Sequence, residues 1–216
     1  MPGRRTPLRF PEGFSWRPPP LTPLPAGTPL YRVQPAGGRL LHYGRDEAGE
    51  NRWNPPPDRH PAFGVWYAAC APTAALTETL LQNLECAVVS WSAIRERELL
   101  EVRLDWDLTV IDLSGTALSA LHADGKLLVT DDLRYPRAWA HALHLRANAQ
   151  GLLYPARTLP RERALALFEP AGTDVLSAAA RRTALPDLTL PGAPRMRNLI
   201  EWLEQEFDVS VKDDTA

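Results

Sequence analysis

The sequence predicts an α/β or α+β fold, with a mixed β-sheet core and flanking helices. Three observations lead there. First, AFGVWYAACAPTAALTETLLQNLE from Ala62 opens as a short apolar strand over 63–69, breaks at Pro72 and continues as a helix. Leu76, Leu80 and Leu84 recur there every fourth residue, and Leu81 widens the stripe. Second, strand-like runs at 99–105, 108–113, 151–155 and 164–168 alternate with helical patterning, best developed at 136–146. Third, 44% of the 216 residues are hydrophobic, enough for a sizeable single core.

The elements follow in order. Residues 1–27 are proline-rich and read as an arm that wraps the surface, with Phe10, Phe14 and Trp16 able to dock on the body. The 28–33 segment, TPLYRV, reads as the first strand and carries Arg32. A polar, glycine-bearing loop over 34–51 can pair weakly around 40–43, and RWNPP at 52–56 forms a cationic loop. Beyond the 63–85 unit, 86–91 reads as a strand or a helix continuation, 116–123 as a short helix and 126–129 as an extended stub. In the 136–146 helix the proline falls in the first turn, where a missing N–H does no harm. The tail, 171–216, holds a helix near 175–182, a proline-rich link and a final helix over 194–207. In that last helix Met196, Leu199, Ile200 and Leu203 share one side.

Composition narrows the function. A net charge of -2 gives no general basic field for nucleic acid. Cys70 and Cys86 lie in apolar surroundings and read as buried thiols. No apolar run approaches membrane-spanning length, and Arg4 and Arg5 are not followed by a signal-type segment, so a cytoplasmic protein is expected. Walker, G-x-G-x-x-G and G-x-S-x-G patterns are missing. His141 and His144 stand three apart on a helix, but no third ligand has matching spacing; surface or interface histidines are the stronger reading.

The remaining candidates are individually ordinary. Glu78 points away from the leucine stripe and reads, on periodicity alone, as a solvated helix glutamate. Tyr67 alternates with Val65 and Ala69 and reads equally as a core tyrosine. Arg32 and Arg52 read as surface arginines.

Taken in order, however, the motifs resemble the RES domain family, the toxin halves of RES–Xre toxin–antitoxin pairs. The resemblance rests on LYRV at 30–33, RWNPP at 52–56 and VWYAACAPTAALTETL at 65–80. It continues with RAWAHAL at 137–143, GLLYPARTLP at 151–160 and ALALFEP at 164–170. It implies a domain over 28–170 with an ADP-ribosyltransferase-like fold that degrades NAD, with water or phosphate as acceptor. It also implies no metal, and an Xre-type helix-turn-helix antitoxin as partner that would carry any DNA binding; a homo-oligomer stays open. By motif, Arg52, Tyr67 and Glu78 correspond to the family's arginine, tyrosine and glutamate, and Arg32 to a further arginine. Asn54, Tyr154 and Arg157 join Arg32, Arg52 and Tyr67 as expected dinucleotide contacts.

The chemistry is coherent. Cleaving the nicotinamide–ribose bond passes through an oxocarbenium-like ribose, which a carboxylate such as Glu78 stabilises. A ring such as Tyr67 can stack on nicotinamide, and arginine forks can grip a pyrophosphate or an attacking phosphate. Two features depart from the family pattern. Alanine stands at position 156, where the family has serine, and this implies a weakened enzyme; the 52-to-67 connection is also longer than usual. Transfer of ADP-ribose to a protein, and a non-catalytic binding module on the same scaffold, stay as alternatives.

Overall fold

A computed structural model describes residues 10–13, 15, 17, 19, 21–45, 51–59, 62–81, 87–114, 116–170, 176, 179–191 and 195–213. Eight strands form one sheet: β1 (Thr22–Leu24), β2 (Pro29–Pro35), β3 (Val65–Ala69), β5 (Arg97–Arg103), β6 (Leu108–Asp112), β7 (Gly151–Pro155), β8 (Arg163–Phe168) and β9 (Arg181–Ala184). Their order is β1-β6-β7-β8-β3-β2-β5-β9. Only β6 and β7 run parallel; the other neighbours are antiparallel. The expected mixed sheet with flanking helices is therefore present.

The helices are α1 (Pro72–Leu80), α2 (Trp91–Arg95), α3 (Thr116–Ala120), α4 (Lys126–Val129), α5 (Arg134–Arg146) and α6 (Leu199–Phe207). A short strand β4 (Val88–Ser90) pairs in parallel with β12 (Ser210–Lys212), and β10 (Thr189–Leu190) pairs with β11 (Arg197–Asn198).

Strand alternation sorts the core. On one face Leu30, Trp66, Leu100, Val110, Leu153 and Leu165 form one cluster, closed over by Leu40, Leu41 and Leu176. On the other face two clusters lie side by side. One joins Val65, Ile111, Leu152 and Ala166 to Trp139 and Leu143 of α5. The second joins Val33, Ala69, Leu99 and Ala164 to Ala75 and Leu76 of α1 and Leu199 and Leu203 of α6. Each helix is thus held by an apolar face rather than by its propensity.

Several expectations change. Residues 126–129 are helical, not extended. The helix expected at 175–182 gives way to β9, which pairs with β5 from Glu98 to Glu101, while Leu176 bridges Leu104. The last helix begins at Leu199, not 194. Asn198 caps it with a capping box to Glu201, and Met196 stays 53% exposed instead of joining the apolar side. The α1 helix stops at Leu80; Leu84, Glu85, Cys86, Phe14 and Trp16 lie outside the described residues. Cys70 is half-buried, and burial pushes its thiol pKa up. Among the described residues no helix is long and apolar enough to cross a membrane.

Gly151 opens β7 where a Cβ would stand 2.5 Å from the backbone oxygen of Ala166 on β8. That atom belongs to the sheet and cannot move aside. Gly151→Ala is expected to cost about 1–3 kcal/mol, measurable as a lower urea midpoint with an unchanged slope.

Candidate functional site

A parting in the sheet creates the site. β2 follows β5 over seven register pairs, from Pro29–Arg103 to Pro35–Arg97, yet it meets β3 only at Tyr31–Ala69. Further along, the edge of β3 is met at Val65 by Gly44. Between these two contacts the strands separate, and a cleft of about 650 Å³ opens, a size ordinary for small-molecule sites. Tyr31, Arg32 and Val33 line it from β2, Tyr67 and Ala69 from β3, and Glu78 from α1; Tyr154 and Arg157 close the far side. Alanines make the room: Tyr67 pairs with Ala166 and Tyr154 with Ala164, so the strand between the two tyrosines puts a methyl group opposite each of them.

The Arg52 loop is clamped from below. Trp53 and Asn54 are 0% and 1% exposed. The Tyr67 hydroxyl accepts from the Trp53 backbone N–H at 2.9 Å and donates to Asn54 Oδ1 at 2.8 Å. Asn54 Nδ2 in turn donates to the Gly44 carbonyl at 2.9 Å. On the other flank Arg137 Nε, from α5, donates to the Asn51 carbonyl at 3.0 Å.

Arg52 itself donates from Nη2 to the Thr130 carbonyl at 2.9 Å. Its Nη1 is buried with no hydrogen-bond partner among the described residues, and the same holds for Arg32 Nη1. The Arg32 guanidinium carbon lies 5.7 Å from the centroid of the Trp66 ring. Burial lowers the pKa of both arginines, although a guanidinium stays charged. Two cations that leave buried N–H groups unused are positioned for an anion.

Glu78 sits on the face of α1 opposite Leu76, as its spacing predicts, but it meets the cleft rather than open solvent. Its Oε1 accepts from the Arg157 backbone N–H at 2.6 Å. Burial raises its pKa above the ordinary 4.5; the Arg157 N–H and the charges of Arg157 and Arg52 oppose that shift. Tyr154 touches both core clusters of this face, and its ring lies 5.3 Å from that of Trp53. Burial first, then Tyr67 and Glu78, pushes its phenol well above the usual tyrosine range, so it stays neutral.

Of the residues singled out in the sequence, Arg32, Arg52, Tyr67, Glu78, Tyr154 and Arg157 all line this one cleft. Asn54 does not: it lies behind the loop with both ends of its amide engaged. Ala156 also departs from expectation. It is 1% exposed within the α1–α6 cluster and does not line the cleft, so a serine hydroxyl there would meet apolar neighbours. His144 packs on Phe63 at 4.1 Å and on Phe168 at 5.1 Å, two members of the core cluster that α5 covers. Among the described residues no group of three or more His, Cys, Asp and Glu could hold a metal. Sequence reasoning missed Tyr31, Thr77, Asp131 and Thr158 as lining residues. Their spacing along the chain carries no signal; Asp131 follows Thr130, whose carbonyl accepts from Arg52, and its charge acts on that guanidinium.

The split sheet, with helices on one face and the cleft at the parting, defines an α+β protein built on a mixed, mainly antiparallel sheet. A chain of the crystal structure of the M. tuberculosis MbcT–MbcA toxin–antitoxin complex has the same fold, with a TM-score of 0.56 at 21% identity. The alignment covers 75% of this chain and 87% of that one. The family model for the RES domain matches residues 29–191, and this chain belongs to the RES domain family. The match runs past 170 and takes in β9 and β10. No functionally curated protein matches the sequence significantly.

Ala156→Ser buries a hydroxyl among apolar side chains. It is expected to cost about 1–3 kcal/mol of stability and to give no gain in any activity of the cleft, as measured by chemical denaturation alongside a turnover assay.

Proposed function

We propose that this RES-domain protein is the toxin of a toxin–antitoxin pair and that it consumes NAD in the cytoplasm by cleaving the nicotinamide–ribose bond. The observation that carries this reading is one cleft holding a half-buried carboxylate, Glu78, and two arginines with buried, unused N–H groups. Family membership and the toxin–antitoxin complex that shares the fold support it.

In this reading Arg32 and Arg52 grip the pyrophosphate, and Glu78 faces the ribose. The C–N bond breaks, and its electron pair leaves with nicotinamide, which becomes neutral. The ribose carbon passes through an oxocarbenium-like state that the Glu78 carboxylate stabilises. An oxygen of water or phosphate then forms the new bond and gives up its proton. Labelled NAD separates this from ADP-ribosyl transfer: label is expected only in small products, and label on protein would overturn the assignment of acceptor.

Glu78→Gln is expected to lower nicotinamide release by on the order of a hundredfold or more while the protein stays folded. Wild-type turnover in that variant would remove Glu78 from the chemistry. The raised pKa of Glu78 sets two signs. Activity should fall on the acid side at a pH above the ordinary glutamate value, because the carboxylate is the working form. Stability moves the other way: the folded state holds this proton more tightly than the unfolded chain does. This group therefore destabilises at neutral pH, and its penalty disappears as pH falls through the folded and then the unfolded pKa. Glu78→Gln, whose amide oxygen can still accept from Arg157, should match or exceed the wild-type Tm at pH 7.

A protein that destroys NAD inside its own cell needs restraint. An Xre-type helix-turn-helix antitoxin that places an acidic or carboxylate-ended segment in the arginine-lined cleft would block NAD entry. ADP-ribose and charge reversal at Arg52 should then both weaken antitoxin binding in a titration. Unchanged binding at saturating ADP-ribose would place inhibition on a remote face.

A further inference from the structure

Two tyrosines of opposite circumstance face the same cleft. The Tyr67 hydroxyl is consumed by the protein: it accepts from Trp53 N–H, donates its proton to Asn54 Oδ1, and both partners are buried. A hydroxyl has a single proton, and this one is spent. To offer it to a ligand, Tyr67 would leave Asn54 without its donor in a place water does not reach, a cost that buried polar groups rarely bear.

Tyr154 is the reverse case. It comes from β7, two strands away, and its register partner is Ala164, whose methyl leaves space in front of the ring. Its proton has no acceptor among the described residues, although the ring itself is fixed between both apolar clusters and against Trp53. Glu78, Arg52 and Tyr67 all act on it electrostatically, so the phenol sits amid the charged groups of the cleft.

We infer that the two tyrosines divide the work: the Tyr67 hydroxyl is a positioning group that pins the Arg52 loop, and Tyr154 supplies the phenolic donor that contacts the bound dinucleotide. The dinucleotide part of this inference rests on the NAD-consuming function proposed above. The ligand atom that Tyr154 meets is an acceptor oxygen, of a ribose hydroxyl or of the pyrophosphate, because a neutral phenol whose proton is free offers a donor there. Tyr67 keeps a role for its ring face, while its hydroxyl holds Trp53 and Asn54 so that Arg52 stays at the wall of the cleft.

The experiment compares Tyr67→Phe with Tyr154→Phe by three readouts: Tm, hydrogen exchange of the Trp53 backbone amide, and ADP-ribose affinity with KM and kcat for NAD. Tyr67→Phe is expected to lower Tm by about 5 °C and to speed exchange of the Trp53 amide, because that N–H loses its acceptor. Tyr154→Phe should leave Tm and Trp53 exchange as in the wild type. It should weaken ADP-ribose binding and raise KM by roughly 2- to 10-fold with kcat little changed, the signature of one lost neutral hydrogen bond made equally in ground and transition states. Unchanged Trp53 exchange in Tyr67→Phe overturns the pin. Wild-type ADP-ribose affinity in Tyr154→Phe overturns the donor while leaving NAD consumption standing. A wild-type protein that neither binds ADP-ribose nor releases nicotinamide overturns the proposed function and the Tyr154 assignment together, and the Trp53 amide still decides the pin.

Discussion

The buried hydrogen bonds around the Tyr67 hydroxyl are the constraint on which the cleft depends. A loop that carries three consecutive prolines, Pro55 to Pro57, and no regular structure cannot satisfy its own backbone. Here the loop borrows a hydroxyl from the neighbouring strand for Trp53 N–H and a carbonyl from Gly44 for the Asn54 amide. Trp53 and Asn54 are sealed from water, so the bonds they make must be kept: a buried donor left without an acceptor costs more than the bond contributes when made. That closed set fixes the loop, and the fixed loop fixes Arg52.

The sheet supplies the space that this loop overhangs. Strands separate when there is something better than continued pairing for their edges, and here Gly44 takes the edge of β3 at Val65 while β2 turns its full length toward β5. The alanines of β8 then keep the floor low between the two tyrosines. The cleft thus follows from the early parting of β2 from β3. The electrostatics follow. In this cleft guanidinium groups lose water, and Glu78 is discouraged from ionising, so an incoming anion and, in the proposed reaction, a developing positive ribose would each meet a partner that is poorly solvated beforehand.

Much of this was legible in the residues. Period-two and period-four patterning predicts the strand into α1, both strands of the β7–β8 hairpin and helix α5, because each buries an apolar face whose period survives in the sequence. Boundaries of the C-terminal elements were not legible. Arg181–Ala184 forms β9 because the edge of β5 is open to it, and nothing local in RRTA marks a strand. Lys126–Val129 has strand-like residues but is helical, closed at Thr130, whose backbone N–H donates to the Lys126 carbonyl. Met196 falls off the final helix because Asn198 caps it two residues later.

The sequence by itself determined the family, the fold class and six residues that share the cleft, Arg32, Arg52, Tyr67, Glu78, Tyr154 and Arg157, since ordered motifs encode which strand and which helix each belongs to. It also determined that Glu78 turns away from the leucine stripe, because 100° per residue is a local rule. Tertiary structure alone decided what each residue does there. Whether a hydroxyl proton is spent or available depends on partners far along the chain: Tyr67 meets Asn54 thirteen residues away across a loop, whereas the Tyr154 oxygen faces the Trp53 indole, a donor, and its proton meets no acceptor among the described residues. Whether Ala156 belongs to the cleft or to the core depends on how α1 and α6 close over β8. Hydrogen-bond satisfaction and burial are properties of the packed neighbourhood, and no spacing along a chain carries them.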